Sequence, residues 1–204
     1  FVPATTTDPA DYADDNIKNV IYLIGDGMGP LHLEKAKQER NISLTMDLFP
    51  YQGRSMTRSL SNFVTDSAAG GTALATGVRT YNGAIGVYIY DPVNVFTHPK
   101  NLTELCMENG MMTGVITTDE TSGATPSAFS AHSSDRDNAE DITADQMTSG
   151  IDLIWGHSNG VATQSEAEAN GFTYITHTAE MLALEAGRRS FAQSTNQLRT
   201  LPPS

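Results

Sequence analysis

The sequence predicts a doubly wound α/β fold built around a parallel sheet. Residues 19–24, NVIYLI, form a continuous apolar run, rich in β-branched residues, that passes into GDGMGP and then into a helical pattern over residues 31–40. Strand, glycine-rich turn and helix in that order open a parallel sheet whose strands are buried on both faces. Further strand-sized runs at 111–118 (MMTGVITT), 151–156 (IDLIWG) and 172–176 (FTYIT) alternate with helix-like segments. No apolar run approaches the ~18 residues of a membrane span.

Residues 1–18 read as a polar tail, with neither a basic nor an apolar leader segment, like the stretch left after a signal peptide is removed. Residues 66–77, DSAAGGTALATG, read as a helix of almost nothing but Ala, Gly and Thr. Residues 81–99 read as turns and extended chain. NLTELCMENG is a capped helix with Gly110 as its stop. TPSAFSAH opens another helix, with Pro126 at its first position. Residues 137–150 and 177–189 read as two more helices. The chain closes on NQLRTLPPS, polar and Pro-rich.

A length of 204 residues fits one domain or half of a large one, and 39% hydrophobic residues supply a core. Twelve Lys and Arg against 24 Asp and Glu give a net charge of −12. Only Lys18, Lys35, Lys37 and Lys100 are lysines, which argues against nucleic acid as a partner. Cys106 is the single cysteine, which excludes an internal disulfide and a Cys-based zinc site, and its setting is that of a buried helix residue.

Two short stretches carry chemistry. Ligands of open parallel sheets gather beyond the carboxyl ends of the strands. Asp26 stands there, among glycines that let the backbone turn sharply, and a carboxylate so placed holds a cation. Taken alone, it reads equally as a turn aspartate capping the next helix. Ser67 starts the lean helix, where the helix dipole and unpaired N–H groups favour a phosphoryl group or an alkoxide. Taken alone, Asp66-Ser67 is also an ordinary capping pair. A serine hydroxyl needs a base or a metal to act as nucleophile. No G-x-S-x-G elbow surrounds Ser67, which argues against an α/β-hydrolase.

Taken together, NVIYLIGDGMG, VTDSAAGGTALATGVRTYNGAIGV and TGVITT…GATPSAFSAHSSDR resemble the alkaline phosphatase family in order and spacing over roughly residues 18–160. The resemblance implies a three-layer α/β/α sandwich with a mostly parallel sheet, and residues 19–204 as the N-terminal half of that domain. It implies hydrolysis of phosphate monoesters through a phosphoserine on Ser67, with two zinc ions and one magnesium. Asp26 matches the carboxylate bridging a zinc and the magnesium, and Ser67 also meets that zinc. Thr125 matches a magnesium ligand, Arg136 the clamp on two phosphate oxygens, and Asp66 the aspartate that positions the arginine. Inorganic phosphate as product, a homodimer, and a periplasmic or extracellular location follow from the same resemblance.

One departure stands out. Two residues before Thr125 the family commonly has Asp or His, and here stands Gly123. A glycine supplies no ligand, which leaves the third metal position more hydrated, weaker, or completed by Ser122 or Glu120. The family's remaining ligands, an Asp-x-x-x-His-x-x-x-His cluster, an Asp-His pair, a further His and a Glu, belong to a second half of the chain. The five histidines His32, His98, His132, His157 and His177 show no such spacing, and His157 reads as a loop residue. The implied enzyme is therefore incomplete without a C-terminal half from elsewhere. Two alternatives remain: a non-catalytic phosphate- or metal-binding fragment, and a phosphodiesterase or sulfatase relative. The Asp-Ser-Ala block argues against the latter. Asn41 and Asn101 open N-x-Ser/Thr triplets that sequence leaves unassigned.

Overall fold

The computed structural model describes residues 18–89 and 96–194, so most of the N-terminal tail and the Pro-rich end lie outside the described residues. The chain divides into two units, Phe1–Leu44 and Thr45–Ser204.

In the first unit, residues 18–24 carry no regular secondary structure, and the chain turns at Gly25, whose carbonyl accepts from the Met28 N–H at 3.2 Å. Helix α1, Pro30–Arg40, follows. Proline at its start is tolerated because that N–H has no helical partner, and Asn41, in the left-handed region at φ 49°, closes it. The strand expected at 19–24 is not formed: the segment carries no ladder, and Val20 and Leu23 are 73% and 84% exposed. A continuous apolar run records that a segment is suited to burial on both faces. The pairing that makes it a strand comes from neighbours that a local pattern does not contain.

The second unit begins with a 3₁₀ turn, Thr45–Leu48, and then carries helix α2, Ser67–Thr76. Strands β1, Tyr88–Ile89, and β2, Phe96–Thr97, pair antiparallel. Next come α3 (Leu102–Glu108), β3 (Gly114–Glu120), α4 (Ala124–Ser127) and α5 (Ala139–Thr148). The described chain ends with β4 (Leu153–His157), α6 (Gln164–Ala169), β5 (Thr173–Ile175), α7 (Thr178–Ala183) and β6 (Ser190–Ser194). The four-stranded sheet runs β3-β4-β6-β5, parallel throughout, as the α/β reading requires. Phe191, Ile154, Ile151 and Phe172 pack with Met147 into one core cluster. A second cluster joins Ala68 and Ala75 of α2 to Ala124 and Ala128, with Ile85 and Ile142.

Several local expectations need correction. The helix begun at TPSAFSAH is one turn long, and Pro126 is its third residue. The helix expected at 177–189 stops at Ala183, because Leu184 turns extended at ψ 127°. Cys106 lies on α3 as expected but is only partly buried. His157 is the last residue of β4 rather than part of a loop. Strand β6 and helix α6 fall where the sequence showed no clear pattern. No helix among the described residues is long and apolar enough to cross a membrane.

Candidate active site

Helix α2 explains why its sequence is so lean. A methyl group at Gly71 would lie 3.0 Å from the Ala128 Cβ and 3.5 Å from the Thr125 Cα. Ala68 and Ala128 are both fully buried. Small residues let α2 approach α4 closely, and the segment carrying Thr125 is thereby set against the helix that begins at Ser67.

Asp66 is the N-cap of α2, and both of its carboxylate oxygens are engaged. Oδ1 accepts the Ala69 N–H at 2.9 Å, satisfying a free donor of the first turn. Oδ2 accepts the Gly83 N–H at 2.8 Å and Arg136 Nη1 at 3.3 Å. Ser67, at the first helical position and half-buried, follows directly. Its hydroxyl therefore sits at the positive end of a ten-residue helix.

The stretch TYNGAIG, residues 80–86, ties these parts together. The Asn82 side chain accepts the Asp66 N–H at 3.2 Å and donates to the Val64 carbonyl at 3.2 Å. The Arg136 N–H donates to the Gly83 carbonyl at 2.8 Å, and Ile85 bridges to Ser133. The buried Thr72 hydroxyl donates to the Ala84 carbonyl at 3.1 Å and accepts the Gly86 N–H at 2.8 Å. Gly86 has φ 59°, and a Cβ there would lie 2.5 Å from the Ala131 carbonyl oxygen, so only glycine fits.

Ser67, Asp66 and Arg136 thus share one locality, with Thr125 on the helix packed against α2. Asp26, exposed in the turn after residue 24, belongs to the first unit and is described there alone. Gly123 caps α4 with φ −55° and ψ 147°, a conformation open to any residue. The nearest atoms to the place of its missing Cβ are the Asp119 carboxylate, Oδ2 at 2.6 Å and Cγ at 3.0 Å, and the Glu120 carbonyl oxygen at 3.0 Å. Sequence reasoning passed over Asp119, because its relation to Gly123 depends on the turn that closes through the Gly123 N–H to Glu120 carbonyl bond at 2.8 Å. Among the described residues, no group of three or more His, Cys, Asp or Glu side chains gathers to hold a metal.

Fold and site together define an α/β protein with a serine at a helix start and an arginine anchored beside it. The chain belongs to the alkaline phosphatase family, whose family model matches residues 17–165. Alkaline phosphatase 4 of Bacillus subtilis is 32% identical over 182 residues, which is 78% of this chain and 38% of that protein. The structure of a cold-active alkaline phosphatase from a Shewanella species superposes with a TM-score of 0.69 at 30% identity, covering 86% of this chain and 46% of the other. A variant of the TAB5 alkaline phosphatase, solved with magnesium in its M3 site, superposes at 0.69 with 28% identity over 83% and 50% of the two chains. The chain spans half or less of the length of these relatives.

Proposed function

We propose that this chain is the N-terminal half of a phosphomonoesterase in which Ser67 is the nucleophile. The observation that carries the reading is the double role of Asp66. One carboxylate starts the helix at Ser67 and holds Arg136 at 3.3 Å, so the hydroxyl and the guanidinium are positioned by the same group.

In this reading the phosphate ester binds with two phosphoryl oxygens on Arg136, whose planar fork suits bidentate contact. The Ser67 Oγ forms a bond to phosphorus as the ester oxygen–phosphorus bond breaks in line, and the alcohol leaves with its electron pair and takes up a proton. Water then cleaves the phosphoserine and releases inorganic phosphate. Arg136 neutralises charge on the equatorial oxygens in both steps, and the helix N-terminus favours the anion. Two zinc ions and one magnesium, when bound, supply the Lewis-acid charge that lets the serine hydroxyl and a water ionise. By the family resemblance, Ser67 and Thr125 would be this chain's ligands from the second unit, and Asp26 is the candidate carboxylate of the first unit, taken by itself. Thr125 fits, on a helix packed against α2, whereas Gly123 offers no side chain. The remaining ligands that the family resemblance implies would come from a C-terminal half. A homodimer in the periplasm or outside the cell completes the reading.

The test is rapid-quench labelling with a phosphorylated substrate, alongside elemental analysis for zinc and magnesium. The expected result is a phosphoserine peptide containing Ser67 that disappears in Ser67→Ala while the metals remain. Label persisting on the variant would assign the nucleophile elsewhere. Metal uptake without label or turnover would favour the phosphate- and metal-binding fragment.

A further inference from the structure

We infer that Asp119 serves the third metal position in place of the side chain that Gly123 lacks, directly or through one water. The inference rests on the metal-dependent reading above and adds a residue to it.

The argument begins with Gly123. Its φ and ψ, −55° and 147°, are ordinary for any L-residue, so the backbone does not demand glycine. The Asp119 carboxylate lies where a side chain at 123 would begin. A Cβ at 123 would lie 2.6 Å from the Asp119 Oδ2 and 3.0 Å from its Cγ, so the exposed Asp119 side chain would have to swing aside to admit one. The two positions form a matched pair, in which the carboxylate fills the volume that a longer residue 123 would enter.

Asp119 reaches this place from the carboxyl end of β3, where ligands of a parallel sheet collect. Its own N–H donates to the Thr117 hydroxyl at 3.0 Å, fixing the backbone. Among the described residues, no hydrogen bond or ion pair engages its carboxylate, which stays open to water and to a cation. Chemistry favours it over the other neighbours. Magnesium is held by one or two carboxylates with several waters retained. Glu120 approaches Gly123 through its carbonyl oxygen, and Ser122 brings no charge. Asp119 restores, four positions earlier, a negative charge beside the segment that carries Thr125.

The test uses the full-length protein, stripped with chelator and reloaded with zinc. Manganese, titrated by electron paramagnetic resonance, and magnesium, by competition, report the third site without reference to turnover. Asp119→Asn keeps the shape and removes the charge, and the affinity for both ions is expected to fall about 10–100-fold. Asp119→Ala with Gly123→Asp frees the space and returns a carboxylate from the other side, so affinity is expected to recover. Wild-type manganese binding that Asp119→Asn leaves within twofold overturns this inference and spares the parent reading. A wild-type protein that takes up zinc and manganese nowhere overturns both.

Discussion

Replacing Asp66 by alanine removes three contacts at once, and their sizes can be worked separately. Loss of the cap on the Ala69 N–H costs about 1 kcal/mol. The Gly83 N–H, left without its acceptor in a half-buried loop, costs about 1–2 kcal/mol. The Arg136 contact is long, at 3.3 Å, and the arginine side chain is 36% exposed, so it contributes at most ~1 kcal/mol. Asp66→Ala is therefore expected to destabilise by about 2–4 kcal/mol. Asp66→Asn retains the cap, since asparagine is an equal N-cap, and turns an amide toward donors at Gly83 and Arg136. It should lose about 1–2 kcal/mol. Urea unfolding of the purified protein measures both, with an unchanged m-value showing that the comparison is fair. A loss under about 0.5 kcal/mol for alanine, or equal losses for the two variants, would refute the division of labour between the two oxygens.

Arg136→Ala is expected to lower kcat/KM about ten- to a hundredfold and to weaken inhibition by inorganic phosphate, with Arg136→Lys recovering part of each; unchanged phosphate inhibition would place Arg136 outside the site. Gly86→Ala should cost about 3 kcal/mol or more, because φ 59° is strained and the new Cβ meets the Ala131 carbonyl at 2.5 Å and His132 Nδ1 at 2.7 Å; a melting temperature within 2 °C of wild type would contradict it. Glu180 is held below the ordinary 4.5 chiefly by the Thr176 and His177 N–H groups, and Glu166 by the Thr163 hydroxyl and N–H. Both folded-state values are depressed, so the cap contribution is present above the ordinary value and lost as pH falls through the lower one. Amide exchange at Thr163 and Thr176, corrected for intrinsic rate, should therefore accelerate only once pH has fallen below the ordinary 4.5, and protection that stays flat as both carboxylates become protonated would remove the caps from the account.

The parts of this fold that announced themselves were those whose cause is local. The capped helix expected at NLTELCMENG is formed, with Asn101 and Glu104 capping each other, the Glu104 N–H donating to Asn101 at 3.0 Å and Gly110 left-handed beyond the end. The runs behind β3, β4 and β5 are strands close to their expected limits. Strand β6 was illegible because Ser190 and Gln193 look like loop residues, yet they are 0% and 1% exposed. Trp155 Nε1 donates to the Ser190 hydroxyl at 2.9 Å, and Gln193 Nε2 donates to Thr121 at 2.9 Å and Asn159 at 3.0 Å. Polar residues become core when distant residues supply their partners, and those partners are invisible to a local window. The same holds for the proposed site. Ser67, Asp66, Thr125 and Arg136 could be named from motifs, whereas Asp119 required a turn that folds it back over Gly123.

The loop at residues 80–86 is a mechanical coupling. Through Gly83 it is bonded to the cap of α2 and to the backbone of Arg136, and through Thr72 it is bolted to the body of that helix. A strut pinned at both ends transmits displacement rather than absorbing it. The seat of the serine and the seat of the arginine are thereby held by one loop, and a substitution that displaces Gly83 is expected to disturb both. In the proposed reaction, adjusting the grip on phosphate without disturbing the line of attack would fall to residues that the strut does not touch.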